Sequence, residues 1–143
     1  HIGIAATELK VDLEPGEYLM RNVIHMDQDR GFLAIGEELR QGQTVQFHLR
    51  DAEAASEDLD VLLDHDLEIK STTPPTGALL FTCTGRGQAL FGQPDHDSNA
   101  FFQAIGEVPL SGFFCGGEIG PVGPATYLHG YTSSFGLFRP RDR

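Results

Sequence analysis

Two stretches of the chain carry side chains capable of chemistry at matching positions. "LLFTCTGRG" (79–87) and "GFFCGGEIG" (112–120) each run from an apolar segment through a cysteine and a glycine turn to a charged residue and another glycine. Glycine adopts positive φ freely and lets a ligand approach the backbone closely. Consecutive N–H groups in such turns can form an anion nest. Arg86 could hold a carboxylate through two parallel hydrogen bonds, and Glu118 could accept from an amine. If the two strands are neighbours with like-oriented ends, Arg86 and Glu118 face a common space and suit a zwitterion such as an amino acid. The expected ligand site comprises these two residues with Gly85, Gly87, Gly116 and Gly117, and with Cys83 and Cys115 as its floor. The competing reading is that Arg86 and Glu118 pair with each other or sit in water.

Other reactive residues give weaker patterns. Cys83 and Cys115 show no CxxC spacing, so neither a zinc site nor a disulfide framework is expected. A catalytic thiol needs a lowered pKa and a base nearby. His129 is the candidate base, but no motif ties it to either cysteine, and two small strand-end thiols explain the pair more simply. There is no HExxH. His25, His48 and His129 fall on expected strands, where one could ligate haem iron. "DHD" at Asp64–Asp66 and again at Asp95–Asp97 reads as solvated surface. Asp27, Asp29 and Glu38 imitate calcium-loop spacing, but the glycine is misplaced and the flanks read as strands. "TGRGQALFG" lacks the GK[ST] of a phosphate loop and fits no dinucleotide fingerprint. No catalytic or metal-ligating residue is assigned.

The elements that must position these residues follow from hydrophobic periodicity. Residues 1–17 read as a lead-in ending in the turn "EPGE". Tyr18–Met26 reads as a strand, Asp27–Gly31 as a hairpin turn and Phe32–Gly36 as the returning strand. In "TVQFHLR", Val45, Phe47 and Leu49 alternate with polar residues, which predicts a half-buried strand. Asp51–Glu68 is the best helix, with Asp51 as its N-cap and an apolar stripe of Ala52, Ala55, Leu59, Leu62 and Leu63. "TTPPTG" breaks it. Ala78–Cys83 is almost wholly apolar, as in a strand covered on both faces. Asp97 is expected to cap a second helix, Ser98–Ile105, with Phe101, Phe102 and Ile105 inward and Gly106 as its stop. Leu110–Cys115 is another apolar strand, "GEIGPVGP" a turn-rich loop, and Ala125–Phe138 the closing strand or pair of strands. The order β-β-β-α-β-α-β-β predicts an α+β domain, a mostly antiparallel or mixed sheet with about two helices packed on it.

Composition narrows the function classes. At 143 residues one domain is expected, over 18–138, with a polar tail at 139–143. A start at His1 rather than Met points to a segment of a longer chain. The net charge of -11 disfavours nucleic acid. Eight of the 21 acidic residues lie within Asp51–Glu68, which has no Lys or Arg, so the acidity is mostly one solvated surface. No run approaches the roughly 20 apolar residues of a membrane helix. Low cysteine usage makes a reducing cytoplasmic setting the default.

"GALLFTCTGRGQALFG", "PLSGFFCGGEIGP" and "YLHGYTSSFGLF", together with the earlier "FLAIGEELRQGQTVQFHLRD", resemble the C-terminal domain of FIST proteins over about residues 18–138. That resemblance implies a sensory module of bacterial signalling proteins, joined in eukaryotes to F-box proteins, rather than an enzyme. It implies small ligands, with amino acids proposed, and for some members haem-based nitric oxide sensing. It also implies an N-terminal FIST domain as partner and, for this domain in isolation, a face open to self-association. A ligand sensor is therefore the first expectation. The alternatives are a haem-based gas sensor, a thiol enzyme or redox switch, and a domain that only docks to its partner.

Overall fold

The computed structural model describes residues 1–5, 17–68, 73–122 and 125–141, with only the backbone described at 65–68. Most of the expected lead-in and of the "EPGE" turn, Gly123 and Pro124, and the end of the polar tail lie outside the described residues. The fold is α+β, with antiparallel and mixed sheets and three helices among the described residues. The chain divides into two compact units, residues 1–50 with 119–130 and residues 51–118 with 131–143.

In the first unit, β1 (Ile2–Ala5) is the middle of a three-stranded antiparallel sheet between β2 (Tyr18–Arg21) and β5 (Val45–Phe47). All four residues of β1 are buried. This corrects the lead-in expectation: "IGIA" is too short to show alternation, and as a central strand it has no solvent face to mark with polar residues. The expected strand Tyr18–Met26 is two strands. β2 pairs with β1, while β3 (Val23–Asp27) forms a hairpin with β4 (Phe32–Ile35). Their turn is the expected one: Gly31 has φ +70° and Asp27 Oδ1 accepts from the Arg30 amide at 2.9 Å. β5 does not bury the face expected of it. Phe47 is 73 % exposed and Leu49 96 %; on this edge strand the alternation is present, but its apolar side is left uncovered by the described residues. "GEIGPVGP" is not only a loop, since β8 (Glu118–Val122) pairs with β9 (Ala125–His129).

The second unit holds the sheet β10-β6-β7, formed by β6 (Gly77–Cys83), β7 (Leu110–Cys115) and β10 (Ser133–Phe138). β6 runs parallel to β7 and antiparallel to β10, so the sheet is mixed. A Cβ at Gly112 would run into the Leu80 carbonyl, so only glycine lets the two parallel strands approach this closely. β6 buries Ala78, Leu80 and Thr82 more deeply than the alternate residues, so its cover is deeper on one face than the other. The helices are α1 (Ala52–Glu68), the short α2 (Gln88–Phe91) and α3 (His96–Ile105). Asp51 Oδ1 accepts from the Glu53 amide at 3.2 Å, as the capping expectation requires. Leu59 and Leu63, one turn apart, pack with Ala78 of β6 and Phe101 of α3 in one core, with Phe135 and Leu137 of β10 against it. Leu62, expected on that stripe, is exposed. Gly106 ends α3, with φ +95° and its amide on the Phe102 carbonyl at 3.0 Å.

Phe101 is fully buried and stacks on Phe135 at 5.6 Å between ring centroids. Phe101→Ala should therefore cost about 3–5 kcal/mol, read as a lower urea midpoint at unchanged slope. Phe102, 38 % exposed, should cost much less on the same change. Equal losses would mean that α3 presents a different face to the core.

Candidate functional site

β6 and β7 end side by side, pointing the same way, with Cys83 in register opposite Cys115. The condition set on the two sequence stretches is thus met. Beyond Cys83 the chain turns through a single 3₁₀ turn, Thr84–Arg86, and Gly87 into α2. Beyond Cys115 it turns through Gly116 and Gly117 into β8. Both charged residues are buried: Arg86 is 7 % exposed and Glu118 1 %.

Arg86 turns toward α3. Its Nε donates to Asp97 Oδ2 at 2.9 Å and its Nη2 to Asp97 Oδ1 at 3.0 Å, a bidentate pair. Nη2 also donates to the Ala55 carbonyl at 3.2 Å, and the guanidinium lies over the Phe91 ring, 5.2 Å from its centroid. Asp97 gathers further donors: Thr82 Oγ1 at 2.7 Å, the Ser133 hydroxyl, and His96 Nδ1 at 3.0 Å. Burial alone would raise the pKa of its carboxyl. The donors, Arg86 first, then Ser133, Thr82 and His96, bring it well below the usual carboxylate range.

Asp97 is therefore neither the helix cap nor the solvated "DHD" residue that the sequence suggested. Asp95 precedes the helix instead, with φ +58° and no side-chain cap bond. The side chains of the other "DHD", His65 and Asp66, lie outside the described residues. A usable signal was present in the sequence: Asp97, Phe101 and Ile105 are spaced i, i+4, i+8, so the apolar face of α3 already contained position 97.

Glu118 has a different environment. Its Oε2 accepts from the Thr132 hydroxyl at 3.0 Å and the Thr132 amide at 3.3 Å, and its Oε1 from the Cys115 thiol at 3.3 Å. All three donors are neutral, and no ion pair to Glu118 occurs among the described residues. Burial pushes the Cys115 thiol above its usual range, and the bond and charge of Glu118 push it further. Cys115 is thus held as a thiol rather than a nucleophilic thiolate. Cys83 accepts from the Gly85 amide at 3.5 Å, and both cysteines are free. The two carboxylates are linked through β6 and β10. Thr82 donates its hydroxyl to Asp97, while its carbonyl oxygen lies 3.5 Å from the Cys115 sulfur, an alternative acceptor for the one thiol proton. Thr132 serves Glu118 and its neighbour Ser133 serves Asp97. Thr82, Thr132 and Ser133 lie within stretches already singled out, but nothing in their residue type marked them as partners of the charged residues.

The strand histidines sit elsewhere, each beside a neighbour. His25 lies 6.0 Å from Phe32 and His48 4.5 Å from Tyr18, ring to ring, while His129 Nε2 lies 2.9 Å from the Gly120 carbonyl oxygen.

The two parallel strands thus end in glycine turns beside buried, internally bonded charges, and comparison with known proteins places the chain in a family. The FIST C domain family matches residues 1–121, and the chain belongs to it; this is a family of sensory domains of signal transduction proteins. The chain is 43 % identical over 137 residues to the uncharacterized protein Rv0628c of Mycobacterium tuberculosis, covering 96 % of this chain and 36 % of that protein. It is 39 % identical over 137 residues to the uncharacterized protein Mb0898c of Mycobacterium bovis, covering 96 % and 35 %. It is 34 % identical over 106 residues to the F-box/LRR-repeat protein At5g63520 of Arabidopsis thaliana, covering 71 % and 20 %. The chain thus spans about a third of the length of the mycobacterial relatives. No solved structure matches it.

Asp97→Asn leaves Arg86 buried without its counter-charge, which should cost about 3–5 kcal/mol near pH 7. The folded carboxyl titrates below its unfolded value, so its contribution is full above about pH 4 and fades as pH falls further. The stability gap between wild type and Asp97→Asn should accordingly narrow between about pH 4 and pH 2 in denaturant titrations. A gap that widens on acidification would contradict the pairing.

Proposed function

We propose that this chain is the ligand-binding part of a sensory protein, taking a small amino-acid-like ligand at the joint ends of β6 and β7. The observation that carries the reading is Glu118, a carboxylate 1 % exposed and bonded to three neutral donors. A buried charge is costly unless a counter-charge reaches it, and the ammonium of an amino acid supplies one. The carboxyl ends of neighbouring parallel strands are also where open sheets bind ligands. In this reading Glu118 takes the amine in exchange for part of its Thr132 and Cys115 bonding. The ligand carboxylate lies toward Arg86, which keeps its grip on Asp97 and offers Nη1, and toward the Gly85–Gly87 backbone. Gly116 and Gly117 admit the ligand without side-chain obstruction, and Cys83 and Cys115 line the floor.

The same bonds provide a route outward. A ligand that draws Glu118 away from Thr132 acts on the residue that leads into β10, which pairs with β6 along its length. Shifting β10 biases how the domain meets a partner or output domain. The greater length of the mycobacterial relatives supports such a partner, an N-terminal FIST domain in the same chain. The exposed apolar residues of β5 support a docking face, which in isolation also favours self-association. The two free cysteines fit a cytoplasmic site of action.

Calorimetric titration with the twenty amino acids should give saturable heat with at least one. Glu118→Gln, which keeps the acceptor and removes the charge, should weaken that binding by about tenfold or more. Arg86→Lys should weaken it because a single ammonium cannot both answer Asp97 and offer the ligand the separate donor that Nη1 supplies. No heat from any amino acid, or binding unchanged in both variants, would overturn the reading.

A further inference from the structure

The first turn of α3 carries a second arrangement that the ligand reading does not use. His96 stands between Ser56 of α1 and Asp97: Nε2 lies 2.9 Å from Ser56 Oγ, and Nδ1 lies 3.0 Å from Asp97 Oδ1. The proton positions follow from Asp97. Paired with Arg86, it stays ionised and can only accept, so Nδ1 carries the proton of the imidazole. In the neutral ring Nε2 is then the acceptor, and Ser56 donates its hydroxyl proton to it. The ring is fixed in this pose by Phe91, stacked on it at 3.5 Å with 3° between the planes. Gly92 and Asp95, both at positive φ, fold the α2–α3 link back so that the two rings meet.

Ser56 and His96 open onto a surface depression lined also by Glu53, Glu57, Phe91 and Gln93. From this geometry we propose that Ser56 is the nucleophile, His96 the general base and Asp97 the positioning residue of an acyl-transfer site for esters bearing a positive charge. Ser56 Oγ adds to the ester carbonyl carbon while its proton passes to His96 Nε2. The adduct collapses, the bond to the leaving alkoxide breaks, and Nε2 returns the proton to that oxygen. Water, deprotonated by the same nitrogen, then splits the Ser56 acyl ester into acid and free serine. The side-chain amide of Gln93 is the donor in the depression for the oxyanion. Glu53 and Glu57 select the cationic substrate. Neither Ser56 nor Gln93 belongs to the proposed amino-acid site, so failure of one reading leaves the other standing.

The test is covalent labelling of the intact chain with a fluorophosphonate, which bonds phosphorus to an activated serine oxygen and releases fluoride. We expect one adduct per chain at neutral pH, mapped by peptide mass to Ser56, and absent in Ser56→Ala. His96→Gln should label about 100-fold more slowly or worse, with circular dichroism confirming an unchanged fold. The p-nitrophenyl ester of lysine should be hydrolysed faster than p-nitrophenyl acetate after subtraction of the Ser56→Ala rate. A wild-type chain that stays unlabelled, an adduct on another residue, or labelling of His96→Gln at the wild-type rate would overturn the site. Equal turnover of the neutral and cationic esters would overturn the substrate class.

Discussion

The second unit depends on one buried carboxylate. Asp97 is 4 % exposed, and its two oxygens receive donors from Arg86, Thr82, Ser133 and His96. Those donors come from the end of β6, the turn after it, the start of β10 and α3 itself. Removing two charges from water is costly, and a buried pair recovers that cost only with good geometry and full hydrogen bonding. Both conditions hold here, through the bidentate fork and the three further donors. The apolar contacts of Phe101 and the leucines of α1 hold α3 against the sheet. The Asp97 pair fixes which rotation of α3 is allowed, because any other rotation would bury Arg86 beside apolar rings without its counter-ion.

Glu118 is the contrasting case. The two carboxylates attach to consecutive residues, Thr132 just before β10 and Ser133 at its start, and both reach Thr82, Asp97 through its hydroxyl and Glu118 through Cys115, whose sulfur lies 3.5 Å from the Thr82 carbonyl oxygen. One is neutralised by a guanidinium and the other is held by dipoles alone. Coupling requires an element that two sites both bias. The segment leading into β10 is the element that both sites touch, since Thr132 bonds Glu118 and the adjacent Ser133 bonds Asp97.

Much of this frame could be read from the sequence, for reasons particular to its parts. β6 and β7 announced themselves as apolar runs between glycine turns, and their matching endings pointed to neighbouring strands. The Asp27–Gly31 hairpin carried its own turn chemistry. The helix at 52–68 carried a 3.6-residue period and an N-cap. β1 carried none of these: four buried residues show no alternation, and their partners come from segments far along the chain. The expected inward face of β5 was misplaced because alternation reports two faces without saying what covers either. The site was half legible. Arg86 and Glu118 stood out as charges beside glycines, but their partners are threonine, serine and aspartate residues that only tertiary pairing brings near.

The missed partner matters most for the chemistry. Taken as an isolated arginine after a glycine, Arg86 is an open anion receptor. Paired with Asp97, its charge is largely spent, and the group near the strand ends with unanswered charge is Glu118. Of the two charges expected to face a zwitterion, the basic one is already answered by Asp97, while no ion pair to Glu118 occurs among the described residues. The anionic face of α1 adds to that polarity, with Glu53 and Glu57 beside Ser56. The two sites proposed in this unit thus both call for a positive charge. In the proposed amino-acid site, a ligand's ammonium would therefore decide whether it enters, and its carboxylate, facing an arginine already engaged by Asp97, would decide only its orientation.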